Sequence, residues 1–404
     1  MRKKIGIIGI IFLLAGCGLK NGPILSKNAS VPVARLQSAP EERDPRSYQH
    51  GINFIPLSDG NYALIWSSSG NPPTGPLPDG SWTHDVYFSQ IVPAAPSIEP
   101  VLLISNPEAQ EPASAAVSPD GHIMITMEDG WNTQREVAQR YGVYDTTLGP
   151  TLPYPQMVAD GGHSGHVTAS GNRFVVFYSE GWVEGGGVDN LGSGDDVWVA
   201  VYTSEGKLNY TLAVAVGDDS RDWWPLISGS PERALLIWQR FAEGETYSNL
   251  MFSLLDVYTG LWVENTVLLE KKMKYYTHSV AFIPSIARFL VTGAYDHGGG
   301  FAFLLDSHGN VVAANTNLPA PMREANIIVR DSQEGIVAVE AIAPSGMMVL
   351  SISADRITLT DVQEDDYEWR YSGVDGIFLS PDKVYMVATS PAGLIERIFD
   401  IVDE

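Results

Sequence analysis

An all-β chain made of equivalent sheet units is what this sequence predicts, and three observations predict it. First, one pattern of apolar strand, tight polar turn and apolar strand recurs seven times, with copies starting at Ile55, Ala116, Thr168, Ile227, Phe282, Val329 and Ile377. The intervals are 61, 52, 59, 55, 47 and 48 residues, by subtraction of those positions. Second, the turns carry the residues short hairpins need: Ser58-Asp59-Gly60, Ser118-Pro119-Asp120-Gly121, Ser170-Gly171-Asn172 and Ser380-Pro381-Asp382-Lys383 supply φ-fixed and left-handed positions. Third, a further β-branched and aromatic stretch follows each copy, as in DVYFSQI at 85–91 and VWVAVYT at 197–203. Units of about 40–50 residues with about four strands each define a β-propeller. The copies count seven blades, with six and eight as the neighbouring counts.

Fourth strands are weaker, at 101–105, 212–217 and 266–270, as rim strands should be. The seventh copy has no fourth strand before the chain stops at Glu404. The unassigned stretch 31–36 (VPVARL) is therefore expected to pair with the C-terminal blade and close the ring, removing a free sheet edge. A disordered tether is the alternative for that stretch. Residues 131–140 admit a short helix, but their place in the repeat favours a loop entering a strand. The expected organisation is an export segment at 1–16, a tether at 17–30 and one propeller domain at 31–404.

The N-terminus has a chemistry of its own. Arg2, Lys3 and Lys4 precede an apolar run at 5–15, followed by Leu14-Ala15-Gly16-Cys17. A basic start and a short apolar core read as a signal peptide, too short to span a bilayer stably. The Leu-Ala-Gly-Cys ending resembles the bacterial lipoprotein box. That resemblance implies cleavage before Cys17, lipidation of Cys17 and, with Gly18 following, an outer-membrane destination if the source is Gram-negative. Cys17 is the only cysteine, so disulfides and zinc–thiolate sites are excluded. The formal net charge is −23, and loss of Arg2, Lys3 and Lys4 leaves −26. Such a surface disfavours nucleic acid. The dense basic run at Lys271, Lys272 and Lys274 reads as a solvated loop.

In a propeller the innermost strand of each blade is entered from one face, here the upper one. Loops expected there are long in the first half of the chain: 67–83, 127–136, 179–196 and 239–247. Turns on the opposite face are short. Long loops on a rigid scaffold are where function concentrates. These loops carry Trp82, Trp131 and Trp182, and Trp223 and Trp224 fall beside the fourth innermost strand. Exposed indoles stack on sugars or anchor protein partners. Folding back to cap their own blades is the competing expectation.

About five residues before successive copies stand His50, Glu111, His163, Asp222, His278 and Glu324, with His166 close to His163. In the expected register they ring the upper end of the central channel. His50, His163 and His278 are candidate ligands for a divalent metal, and the carboxylates are candidate acids or bases. A water-filled, hydrogen-bonded channel explains the same ring without chemistry. Asp189, Asn190, Asp195 and Asp196 are candidate Ca²⁺ ligands, without the spacing of an EF-hand loop.

Gly-x-Ser-x-Gly, His-Glu-x-x-His and P-loop patterns do not occur. Ser118-Pro119-Asp120-Gly121-His122 shares the turn of the sialidase Asp-box without its Trp. The sequence thus points to a lipid-anchored envelope platform for a glycan, peptide or protein partner. A metal-assisted polysaccharide lyase or glycoside hydrolase is the alternative, and a purely structural envelope component is a third.

Overall fold

The computed structural model describes residues 46, 48–75, 83–130, 137–180, 196–217, 220–241, 247–274, 276–366 and 373–401. All the sheets lie in the unit Ser38–Glu404. The stretch 31–36, Cys17 and the residues expected to form a tether fall outside the described residues.

Seven antiparallel sheets follow one another along the chain. Blade 1 is β1 (Gln49–Pro56), β2 (Tyr62–Ser68), β3 (Asp85–Ile91) and β4 (Val101–Ile104). Blade 2 is β5 (Gln110–Val117), β6 (Ile123–Asp129), β7 (Ala138–Tyr144) and β8 (Pro150–Asp160). Blade 3 is β9 (Gly162–Ser170), β10 (Arg173–Glu180), β11 (Asp196–Thr203) and β12 (Leu208–Ala215). Blade 4 is β13 (Arg221–Gly229), β14 (Arg233–Phe241), β15 (Ser248–Asp256) and β16 (Thr266–Met273). Blade 5 is β17 (Ser279–Ile283), β18 (Arg288–Ala294), β19 (Gly300–Leu305) and β20 (Val311–Leu318). Blade 6 is β21 (Ile328–Ser332), β22 (Gly335–Ala341), β23 (Met347–Ser353) and β24 (Arg356–Gln363). Blade 7 has three strands among the described residues: β25 (Val374–Ser380), β26 (Lys383–Ala388) and β27 (Ile395–Asp400). Every expected second, third and fourth strand falls on one of these. The helical alternative for 131–140 does not appear in its described part, where β7 begins at Ala138.

Strand position explains the hydrophobic patterns. Second strands are packed on both faces, so β2 and β10 are buried almost throughout. Outer strands have one face in solvent, and β8 and β27 alternate between exposed and half-buried positions. Pro150, Pro153 and Pro155 are accommodated in β8 because it is an outer strand.

The two faces of each strand feed two different cores. Ala63 and Ile65 of β2 pack towards blade 2 with Ala113, Ile123 and Ile125. Leu64 and Trp66 of the same strand pack towards blade 7 with Ile377, Tyr385 and Val387. Equivalent apolar clusters fill the other five interfaces between neighbouring blades. A core between blades 7 and 1 makes the ring closed.

Polar side chains of the innermost strands add inter-blade links. Asn53 Nδ2 donates to Ala113 O at 2.9 Å, Val167 N to Ser114 Oγ at 3.1 Å and Gly229 N to Thr168 Oγ1 at 2.9 Å. Across the closing interface, Phe54 N donates to Asp375 Oδ2 at 2.8 Å. Blades approach so closely here that a Cβ on Gly229 would lie 2.0 Å from Ala169 O.

Candidate functional site

The upper ends of the innermost strands share a local irregularity. Pairing slips between His50 and Ile52 in β1, between Glu111 and Ser114 in β5, and between Trp223 and Leu226 in β13. The pairing of β9 with β10 slips in the same region, between His166 and His163. Such bulges re-aim side chains and are common beside sites. In three blades the residue at the bulge has a left-handed backbone: Gly51 (φ 64), Ser164 (φ 52) and Trp224 (φ 54). The residue before it is His50, His163 or Trp223.

This register corrects the expected ring at blade 4, where the bulge places Trp223 at the position assigned to Asp222. Asp222 instead accepts from Arg240 Nε and Nη2, both at 2.8 Å, and from Trp238 Nε1 at 2.6 Å. It is a buried anchor within its own blade.

His50, Glu111 and Glu324 do converge. His50 Nε2 lies 2.9 Å from Glu324 Oε2 and Nδ1 lies 3.3 Å from Glu111 Oε2. An imidazole serving two carboxylate acceptors needs a proton on each nitrogen. Burial opposes that charge, but Glu324 and then Glu111 outweigh it and raise the His50 pKa to about 9. Burial also disfavours the Glu324 carboxylate, yet His50 and Arg323, at 3.3 Å, hold its pKa down to about 2. Glu111 is pushed up to about 7 by burial, which His50 only partly offsets.

The other imidazoles have separate partners. His163 is fully buried, with Nδ1 3.2 Å from Ser164 Oγ and its ring against Trp223. His166 is half-buried, Nδ1 donates to Ser164 O at 3.0 Å, and burial lowers its pKa to about 4. His278 Nε2 donates to Trp224 O at 3.0 Å, and burial lowers its pKa to about 3. The three proposed metal ligands therefore face different groups. Among the described residues, no group of three or more His, Cys, Asp or Glu side chains could hold a metal ion.

Trp223 and Trp224 are buried, not displayed. They pack with Phe241 and Tyr276 in an aromatic cluster, where Trp223 Nε1 donates to the Tyr276 hydroxyl. Trp82, Trp131 and Trp182 lie outside the described residues, as do Asp189, Asn190 and Asp195 of the candidate Ca²⁺ loop. Asp196 is described, and its Oδ1 accepts from Gly217 N at 3.0 Å.

Several participants escaped sequence reasoning. His84 is fully buried 3.7 Å from Glu111 Oε2, and burial, then the charge on His50, lowers its pKa to about 3. It precedes β3 and has no counterpart in the repeat. Arg46 acts electrostatically on Glu111 and Glu324. Arg221 stacks on Trp223 and Arg323 on Tyr276, 4.0 and 4.2 Å from the ring centroids. Adjacency to Glu324 and to the repeat boundary was the available signal for Arg323 and Arg221.

Seven sequential four-stranded or three-stranded sheets, with an apolar core between each neighbouring pair including blades 7 and 1, define a seven-bladed β-propeller. No family model and no curated protein matches the chain. Solved structures do share its fold. A protein of unknown function from Dyadobacter fermentans has a TM-score of 0.53 at 11% identity, covering 89% of this chain and 96% of that one. A chain of the mitotic checkpoint complex gives 0.52 at 11% identity, covering 98% and 99%. A polysaccharide lyase gives 0.50 at 11% identity, covering 92% and 96%. At such identities the likeness is one of fold alone.

Proposed function

We propose that this chain is an exported, lipid-anchored propeller of the cell envelope, acting as a platform that receives a glycan, peptide or protein partner on its upper face. The observation that supports this reading most is what the titratable groups of the channel mouth do. His50 of blade 1 joins Glu111 of blade 2 to Glu324 at the start of blade 6, all three buried. Groups committed to holding blades together are poor candidates for turnover, which needs a group that reaches substrate.

Loop asymmetry supports the choice of face. At the upper ends of the strands, Ser68 and Asp85 are 17 positions apart in sequence and Glu180 and Asp196 are 16. On the opposite side the chain travels only from Val117 to Ile123 or from Ser170 to Arg173. The lipobox at Cys17 supports the anchor, since each buried CH₂ of an acyl chain contributes about 0.8 kcal/mol.

The test has two parts. Cys17→Ala should move the chain from the membrane fraction to the soluble one and abolish incorporation of labelled palmitate. Binding to a panel of envelope polysaccharides and peptides should be lost in a Trp82→Ala, Trp131→Ala, Trp182→Ala triple variant. Cleavage of a polysaccharide that depends on His50 or Glu111 would replace this reading with the enzymatic one.

A further inference from the structure

We propose that the central channel is a binding site for a small organic ammonium ion, held through its charge by Asp375 of blade 7. This goes beyond the platform reading and uses none of the upper loops.

A cavity of ≈ 500 Å³ runs along the innermost strands. Blades 1, 2, 5, 6 and 7 each contribute to its wall, through Asn53, Ala115, Val280, Ile328 and Asp375. A space walled by the innermost strands of five blades is the central channel itself. Its volume suits a small molecule and far exceeds that of a bare ion.

Asp375 supplies the negative charge of that wall, and it is 9% exposed. Its Oδ2 accepts from Phe54 N and its Oδ1 from Gly376 N, both at 2.8 Å, and the Asn326 side chain adds a third hydrogen bond. A carboxylate has about four acceptor sites, so these three neutral donors leave room for a ligand N–H. What the protein does not provide is a counter-charge. Burial pushes the carboxyl up to about 7, and no positive charge among the described residues offsets it. The carboxylates of the channel mouth and of blade 4 are matched: Glu111 and Glu324 by His50, and Asp222 by Arg240. Arg330 shares the wall with Asp375, but its Nη1 donates to Pro381 O and its guanidinium lies over Phe378, 5.6 Å from the ring centroid. Buried charges are normally paired, and an ammonium ion would complete this pair.

The rest of the wall selects what carries the charge. Ala115, Val280 and Ile328 present hydrocarbon, which suits an alkyl body. The two amides are already engaged in joining blades. Asn53 Nδ2 donates to Ala113 O at 2.9 Å and its Oδ1 accepts from Ala115 N at 3.3 Å, while Asn326 Nδ2 donates to Ile52 O at 3.1 Å. An uncharged polyol would therefore gain little here. A lone carboxylate also makes a poor metal site, since such sites need several converging ligands. The net charge of −23 draws cations towards the molecule and disfavours anions in the same channel.

The experiment is calorimetric titration of the full-length chain at pH 8, in detergent, with propylammonium, cyclohexylammonium, propionate, glucose and calcium. At that pH Asp375 is ionised, and an alkylamine, like a lysine of pKa about 10.4, keeps its proton. Saturable binding of one or both ammonium ions, without binding of propionate or glucose, is expected. Asp375→Asn keeps the shape of the protonated carboxyl and removes the charge, so it should weaken binding by about tenfold or more. Val280→Phe narrows the cavity, leaves the carboxylate in place and should also weaken binding. Thermal midpoints show whether each variant folds, and if one does not, the other decides. The triple variant of Trp82, Trp131 and Trp182 should bind the ammonium ion normally, so failure of the platform reading is separable from failure of this one. Absence of saturable ammonium binding, equal or tighter binding of propionate, glucose or calcium, or an affinity unmoved in a folded Asp375→Asn or Val280→Phe variant would overturn the proposal.

Discussion

His50 Nε2 stands 2.9 Å from Glu324 Oε2, although 274 residues separate them in the chain. The other ring nitrogen faces Glu111 Oε2 at 3.3 Å. One imidazole thereby connects blades on both sides of the junction where the first and last blades meet. Only a closed ring can bring these three segments to one point.

Breaking this bridge should cost stability. Glu324→Gln leaves a buried imidazolium without its better partner, and losses of about 3–5 kcal/mol are usual for such a cut. Urea denaturation should show a lower midpoint with an unchanged slope. A double variant, His50→Gln with Glu324→Gln, should recover part of the loss, because the unpaired imidazolium is gone.

Stability should be greatest between about pH 5 and 6.5 and fall towards pH 9. His50 keeps its proton up to about 9 when folded but only to 6.5 ordinarily, so its contribution is full below 6.5 and lost as pH rises through 9. Burial raises Glu340 to about 8 and both Asp375 and Glu111 to about 7, so these carboxyls also hold protons that the unfolded chain has released. Each retained proton costs about 1.4 kcal/mol per pH unit. Between about 5 and 6.5 His84, His166 and His278, which stay neutral down to about 3, 4 and 3, offset those carboxyls, and below about 5 the histidines set the trend and stability falls with pH. Thermal midpoints measured from pH 4 to 9 check this profile, and His50→Gln should flatten its alkaline side.

Asp222 should behave as a structural residue. Arg240→Met removes a bidentate partner from a carboxylate that is 1% exposed, at a cost of about 3–5 kcal/mol. Partner binding by the folded fraction should be unchanged. Asp222→Leu combined with Arg240→Met should be less destabilised than the sum of the single changes.

Gly229→Ala should loosen one blade interface without touching the mouth. The added methyl would sit 2.0 Å from Ala169 O, a backbone atom that cannot swing away. Overpacking of this kind costs about 1–3 kcal/mol. Hydrogen exchange should quicken along β9 and β13 and remain unchanged at the interface of blades 5 and 6.

The propeller was legible because its determinants are local. Asp59-Gly60 and Asp120-Gly121 mark hairpins, and runs such as ALIW at 63–66 can be buried on both faces only between neighbouring sheets. The mouth was legible in part, since His50, Glu111 and Glu324 fall at equivalent offsets. What hid the rest was geometry that sequence does not encode plainly. A bulge whose left-handed residue is Trp224 has no glycine to announce it, so the register slipped by one and Asp222 took the place of Trp223. His84 reaches the cluster from the connection before β3, and Arg46 from ahead of β1, positions that no repeat predicts.

The most direct test of the central claim compares two variants for stability and for binding to the polysaccharide and peptide panel. His50→Gln with Glu324→Gln should lower the unfolding midpoint and still bind well below it. The triple variant at Trp82, Trp131 and Trp182 should keep the midpoint and lose binding. A His50 and Glu324 variant that is as stable as the parent but has lost binding or turnover would contradict the account, because the channel mouth would then be the working centre and not the keystone of the ring.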